Sequence, residues 1–276
     1  MEKIKKFAAV FGGLGLFTGI NIALSLNWLK VRERNVKIKN LPEHLEGLRI
    51  LHISDIHNTS HRRLCVDIWK KIFKNDFDIA FITGDLTKTY FDQVLPLAKG
   101  LRKLSQRVPV FFVDGNHERY HFKEMKAFME SCGVIVLDDK KIILEVEGGN
   151  LEILGTRDYY YQKYNRFKPF VKLMEDEVRC GFRILLSHQP QIIDKLCYFQ
   201  DILVISGHTH GGQIRLPFVP VAYAPGQGFL PEYAGGLYKV KHNYLYVSHG
   251  IGASRVPIRF FNRPEVTILT LENGEQ

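Results

Sequence analysis

Cysteine is scarce in this 276-residue chain, and the four present, Cys65, Cys132, Cys180 and Cys197, are scattered without a C-x-x-C pair. Such spacing supports neither a thiolate zinc site nor a disulfide framework, so reduced thiols are expected, which favours a cytoplasmic domain. Internal repeats and low-complexity linkers are also absent, which excludes a solenoid or a string of tethered modules. Positive charge is thin where a nucleic-acid binder would need it. The formal net charge is +9, but residues 1–40 hold eight Lys/Arg against two Glu, which leaves the rest of the chain near +3. That balance argues against a large phosphate-backbone footprint.

Charge is missing altogether from Phe7 to Leu29, 23 residues that follow Lys3, Lys5 and Lys6 and end with Trp28 just before Lys30, Arg32 and Arg34. Roughly 20 apolar residues span a bilayer, so residues 1–30 are read as an uncleaved, single-pass N-terminal transmembrane helix anchoring the protein to the cell membrane. A cleaved signal peptide, with small residues around Ala23 and Ser25, is the alternative. Orientation stays open, because the lysines before the span favour export while the five basic residues after it (Lys30, Arg32, Arg34, Lys37, Lys39) favour retention. These basic flanks suit anionic lipid headgroups. Residues 31–47 read as a basic linker with a short edge strand at Val36 to Lys39, and residues 48–276 as one domain, a length that buries a single sizeable core.

Within that domain apolar runs alternate with amphipathic segments. Strands are expected at Arg49 to Ile53, Asp78 to Thr83, Val108 to Val113, Arg183 to Leu186 and Asp201 to Ile205. Helices are expected at Arg62 to Phe73, Asp92 to Leu104, Phe122 to Ser131 and Gln191 to Phe199, and in part of Tyr159 to Arg179. A hairpin joins Lys141–Val146 to Leu151–Gly155 through Glu147-Gly148-Gly149-Asn150, and three more strands follow at Leu237 to Lys241, Tyr244 to Ser248 and Glu265 to Leu271. This order predicts an α/β fold, a layered sandwich of two mixed β-sheets flanked by helices.

Sheets of this kind bind ligands at the carboxyl ends of their strands. The ends here read Ser54-Asp55-Ile56-His57, Thr83-Gly84-Asp85, Asp114-Gly115-Asn116-His117-Glu118, Ser187-His188-Gln189 and Gly207-His208-Thr209-His210-Gly211-Gly212. Each of five strands thus delivers an oxygen or imidazole ligand to one edge. Two ligands two residues apart on extended backbone face the same side, and the glycines let the chain turn tightly around what they hold. Seven ligand side chains from these ends, with Asp85 able to use both carboxylate oxygens, are enough to hold two divalent ions about 3.5–4 Å apart. The mixture of imidazole, carboxylate and amide suits manganese, iron or zinc, and metal-activated hydroxide is the expected nucleophile.

The order D-x-H, GD, GNH, a lone His and GHTH resembles the calcineurin-like metallophosphoesterase superfamily. The longer form GHTHGGQ and the tail from Ser248 to Glu265 are similar to its membrane-associated bacterial branch, the YkuE/YaeI-like phosphoesterases. The resemblance implies that Asp55, His57 and His210 hold one ion, that Asn116, His188 and His208 hold the other, and that Asp85 bridges them. It implies further that His117 protonates the leaving group. Two positions depart from the pattern. Lys88 stands where many members carry a second acid, which leaves Glu118 as the candidate to orient His117, and His249 replaces the usual arginine before Gly250. Arg119 and His249 are the candidate substrate contacts. The substrate class expected is a phosphodiester or pyrophosphate, in a lipid-linked or nucleotide-sugar molecule such as UDP-2,3-diacylglucosamine. The alternatives are a nuclease or cyclic-nucleotide phosphodiesterase, and a metal-binding scaffold without catalysis. The proline- and glycine-rich stretch from Arg215 to Gly236 is expected to shape the substrate pocket, touch the bilayer or simply cover the sheet.

Overall fold

The computed structural model describes residues 12, 15, 16, 18–21, 28–57, 68–158, 172–175, 181–215, 219–252 and 259–275. Apolar runs such as Arg49-Ile-Leu-His-Ile53, Ile79-Ala-Phe-Ile-Thr83 and Val110-Phe-Phe-Val113 are buried almost throughout, the signature of strands covered on both faces. They form the middle of a first sheet of six strands: β1 (Lys30–Ile38), β2 (Arg49–Ile53), β3 (Ile79–Thr83), β4 (Val110–Val113), β5 (Ile135–Val136) and β14 (Glu265–Asn273). Their order is β1-β14-β2-β3-β4-β5, with β2 to β5 parallel and β14 antiparallel to β2.

The second six-stranded sheet contains β6 (Lys140–Val146), β7 (Gly149–Gly155), β8 (Arg183–Leu186), β9 (Ile202–Ser206), β12 (Gly236–Val240) and β13 (Asn243–Val247), in the order β12-β13-β9-β8-β7-β6. Strands β7, β8, β9 and β13 are parallel, and the rims β6 and β12 are antiparallel hairpin partners. A two-stranded ribbon, β10 (Tyr223–Ala224) with β11 (Gly228–Phe229), stands apart from both sheets.

Three apolar layers hold this arrangement. Between the sheets, Ile50, Phe81, Phe111 and Val113 meet Ile153, Ile184, Leu203, Ile205 and Tyr246. Outside the first sheet, helices α1 (Ala98–Ser105) and α2 (Phe122–Ser131) bury Leu101, Leu104, Met125 and Met129 against Ile53, Ile82 and Phe112. Outside the second, Ile192, Ile193 and Leu196 pack on Leu154, Leu185 and Val204. The fold is therefore the expected α/β sandwich of mixed sheets flanked by helices.

Several elements differ from the sequence reading. The helix expected from Asp92 to Leu104 splits into a 3-10 segment, Phe91–Leu97, and α1, because Pro96 has no N–H to give to an α-helical ladder. The helix expected from Gln191 to Phe199 is a 3-10 run, Pro190–Leu196, whose trailing carbonyls at Leu196 and Phe199 accept hydrogen bonds from Asn243 Nδ2 at 3.1 and 2.9 Å. With those carbonyls satisfied from another strand, nothing requires a further α-turn. The short edge strand grows to nine residues, since β1 pairs with β14 in parallel along its whole length, from Lys30 opposite Glu265 to Ile38 opposite Asn273. Among β1 residues only Val36 and Ile38 are buried, which is why the upstream charged half gave no apolar alternation. Of the helix expected from Arg62 to Phe73, residues 68–72 are helical and 58–67 lie outside the described residues. Within Tyr159 to Arg179 only the helical residues 172–175 are described. Most of the span from Phe7 to Leu29 also lies outside them, and among the described residues no helix is long and apolar enough to cross a membrane.

One polar contact inside the second sheet is an ion pair removed from water. Arg183 is buried with its Nε 3.0 Å from Glu152 Oε2 and its Nη1 donating to the Met174 carbonyl at 2.9 Å. Replacing Arg183 with Met strands a buried carboxylate, so the variant is expected to lose about 3–5 kcal/mol of stability, read as a lower denaturant midpoint. A midpoint equal to the parent protein would show that Lys141, 3.2 Å from Glu152 Oε1, compensates alone.

Candidate metal centre

The parallel strands of both sheets run towards one edge, so the residues that follow β2, β3, β4, β8, β9 and β13 meet there. Crowding at this edge distorts the backbone. Asp55, His57, Asp85, His208 and His210 all have positive φ, between 40° and 70°, a region that residues with a Cβ occupy at a cost. Close approach also dictates glycine at two points. A Cβ on Gly115 would fall 2.2 Å from Asp85 Oδ1, and one on Gly207 would fall 1.9 Å from Ser54 Oγ.

Three clusters of side-chain donors result, each with its ligand atoms within 4.8 Å of one another: Asp55, His57 and His210; Asp85, His188 and His208; and His57, Asp85 and His117. His57 Nε2 lies 2.9 Å from His210 Nε2, and each of these nitrogens lies near Asp55 Oδ1, at 3.7 and 3.5 Å. His188 Nε2 is 3.1 Å from His208 Nδ1 and 3.2 Å from Asp85 Oδ2. Asp85 Oδ2 is also 3.4 Å from His57 Nε2 and 3.9 Å from His117 Nε2.

Burial sets the charge state of these groups. It lowers His57 to about 4 and His208 to about 3, and it drives His210 well below the usual imidazole range. It also lifts Asp55 to about 6. On Asp85 burial pushes upward, but His188, His57 and His117 outweigh it and hold the carboxylate well below its ordinary range. His188 shows the reciprocal effect, raised well above the ordinary range by Asp85 and Asp55 against the pull of burial. Each neutral imidazole keeps one ring nitrogen free of a proton, so His57, His208 and His210 each bring a lone pair to the site. Among the described residues the buried Asn116 Oδ1 has no hydrogen-bond partner. Lone pairs left over in this way, beside two carboxylates, are what divalent cations complete, so the residues present fit such ions.

An outer ring fixes these groups in place. His188 Nδ1 faces the Thr83 carbonyl at 2.7 Å, which turns Nε2 inward. Ser54 Oγ donates to Asp55 Oδ2 at 2.6 Å, and the backbone N–H groups of His208 and His117 donate to Asp55 and Asp85. Asn262 Nδ2 donates to the His210 carbonyl at 2.6 Å, and buried Arg259 gives its Nη2 to the carbonyls of His249, Gly250 and Gly252. Neither Asn262 nor Arg259 stood out individually from the sequence; both lie in the tail from Ser248 to Glu265.

Glu118 does not orient His117. Its carboxylate is buried and accepts backbone N–H bonds from Asp85, Leu86, Thr87 and Gly115, between 2.7 and 3.2 Å, stitching the β3 and β4 loops together. His117 is steered instead by the backbone carbonyl of Lys88, 2.5 Å from Nδ1, so the side chain at position 88 is not needed for this contact. Arg119 stacks on Tyr120 and lines a cavity of about 600 Å³ with Lys123, Lys126 and Arg157. His249 belongs to none of the three clusters; it is half-buried beside Gly211, with Nε2 3.2 Å from Arg215 Nη1 and Nδ1 3.7 Å from Glu265 Oε2.

Because Glu118 holds both loops that carry the middle of the site, Glu118→Ala is expected to weaken manganese binding about 10–100-fold. Titration calorimetry checks this, and an unchanged affinity would remove Glu118 from that role.

Comparison with known proteins agrees with the geometry. The sequence profile described as Calcineurin-like phosphoesterase matches residues 48–212. The metallophosphoesterase YkuE of Bacillus subtilis is 29% identical over 260 residues, covering 91% of this chain and 88% of that protein. A Helicobacter pylori metallophosphoesterase is 31% identical over 85% of this chain, which spans 64% of that relative's length. A zebrafish protein named as a transmembrane protein with metallophosphoesterase domain is 30% identical over 89% of this chain and 58% of its own length. With more than half of its residues matched by that profile and histidines and aspartates clustered for divalent ions, the chain belongs to the calcineurin-like phosphoesterase family, metal-dependent hydrolases of phosphoric esters.

Proposed function

We propose that this protein is a dinuclear metal-dependent hydrolase of a phosphodiester or pyrophosphate bond. Asp55, His57 and His210 would hold one divalent ion, Asn116, His188 and His208 would hold the other, and Asp85 would serve both; manganese, iron or zinc suits these donors. One observation carries the reading. Asp85 Oδ2 lies within 3.4 Å of His57 Nε2 and 3.2 Å of His188 Nε2, so a single carboxylate oxygen is shared by both groups of imidazoles. Ions bound there supply electrophilic pull on phosphoryl oxygens and lower the pKa of bound water.

The remaining work falls to the chain. His117, with its side chain 34% exposed beside fully buried neighbours, borders the open side of the site. Its Nδ1–H is committed to the Lys88 carbonyl, which leaves Nε2 as the atom that passes a proton to the departing oxygen. Arg119, on the rim of the basic cavity, is available to a second anionic group of the substrate. His249, between Glu265 and Arg215, supports the loop beneath it.

The substrate class we infer is a lipid-linked or nucleotide-sugar phosphoester of the kind UDP-2,3-diacylglucosamine represents. Support comes from the uncharged span from Phe7 to Leu29, read as an anchor within residues 1–30, and from the name of the zebrafish relative. Residues 31–47 lead from that anchor into the catalytic unit, with β1 itself a strand of the first sheet.

The test uses bis(p-nitrophenyl) phosphate with added manganese. His117→Ala is expected to lower kcat about 10²–10⁴-fold while two ions stay bound, whereas Lys88→Ala is expected to turn over close to the parent rate. A metal-loaded protein inert towards diesters, monoesters and pyrophosphates would identify a binding scaffold instead.

A further inference from the structure

The ribbon of β10 and β11 does not behave like ordinary loop packing. Phe229 and Leu230 are 82% and 77% exposed, and Tyr223, Val219, Ile214 and Phe261 are exposed with them. Side-chain and backbone contacts hold parts of this surface in place. The rings of Tyr223 and Phe229 meet edge to face at 5.6 Å, the Leu230 N–H donates to the Ala222 carbonyl, and Ile214 forms a bridge with Phe260. Leu230 and Phe261 also hold φ near +50°, a strained conformation for bulky residues, with nothing in the fold's core gained in return. Monomeric soluble proteins seldom expose an apolar group of this extent without a partner.

The same surface touches the metal loop on one side and the N-terminal segment on the other. A Cβ on Gly226, in the ribbon's turn, would fall 2.3 Å from His208 Nε2, and one on Gly212 would fall 2.0 Å from Val221 Cγ1. At the far side the Phe261 N–H donates to Asn21 Oδ1 at 2.9 Å, within a helical stretch whose Leu16 and Ile20 are exposed, and Arg263 lies over the ring of exposed Trp28. A tryptophan beside an arginine at the end of an uncharged apolar span is the arrangement found at membrane interfaces.

From this continuity we infer that the β10–β11 ribbon, with Ile214 and Phe261, is a bilayer-contact surface that sets the metal loop at the level of the lipid headgroups. The occupant is a lipid bilayer bearing anionic headgroups. This deepens the reading of the site as a phosphoesterase by locating its substrate at the membrane interface, so that a lipid-borne phosphoester reaches His208 and its neighbours without leaving the bilayer. The apolar residues sink into the interface and recover the burial that the fold leaves unused.

The experiment uses the full chain, reconstituted in vesicles of phosphatidylcholine and phosphatidylglycerol, with a photoreactive benzoylphenylalanine placed at position 229, 230 or, as a control, at exposed Tyr198. Irradiation followed by mass spectrometry is expected to give phospholipid adducts at 229 and 230 and none at 198. Adducts to a second copy of the chain, adducts to residues 1–27, or no lipid adduct at 229 and 230 would each overturn the inference. Cross-linking needs no turnover, so a lipid-free result from protein that still hydrolyses bis(p-nitrophenyl) phosphate sinks the bilayer surface and leaves the phosphoesterase reading standing. A Phe229→Asp/Leu230→Asp variant is expected to keep that soluble activity and to lose hydrolysis of a vesicle-embedded phosphodiester; equal loss of both, or of neither, would also count against it.

Discussion

Asp85 is a carboxylate that the fold has removed from water and surrounded with imidazoles. Burial of an unpaired carboxylate costs several kcal/mol, so the site persists only because that charge has partners on several sides. His188 Nε2 at 3.2 Å and His57 Nε2 at 3.4 Å supply part of the compensation, and the His117 backbone N–H supplies more at Oδ1. Glu118 adds a second buried carboxylate a few ångströms away, and its four backbone donors keep that charge from being a liability. The stability of this corner therefore rests on electrostatic balance more than on apolar packing.

That balance links the two sheets. Asp55, His57, Asp85 and Asn116 follow strands of the first sheet, and His188, His208 and His210 follow strands of the second. Two of the three clusters draw donors from both sheets, Asp55 and His57 with His210, and Asp85 with His188 and His208. The layer of Phe81, Phe111, Ile184 and Ile205 between the sheets is thus what brings the clusters into being. Loosening that layer separates the donors even if each loop keeps its local shape. The strained backbone at five of these residues is sustained in the same way, by surroundings that leave no other conformation.

Much of this was legible before any coordinates. Most strand positions, the face-to-face sheets and the loops that carry the clustered donors could be read because buried parallel strands are apolar without alternation and because their carboxyl ends carried polar residues in a recurrent form. What escaped was of two kinds. The charged first half of β1 pairs through its backbone with β14, and backbone pairing leaves no mark on side-chain pattern. The 3-10 winding of Phe91–Leu97 and Pro190–Leu196 depended on a proline in one case and on Asn243, from a distant strand, in the other.

By itself the sequence determined which side chains are available and in which loops they lie, because residue type and the period of the strands are local properties. Only the tertiary structure decided what those side chains meet. Glu118 looked like a partner for His117 because it is adjacent in the chain, yet its carboxylate turns to the backbone of Asp85 and Leu86 and leaves His117 to the carbonyl of Lys88. The physical reason is that a hydrogen bond is settled by direction and distance in space, and the two loops after β3 and β4 had to be brought to one edge before either was defined.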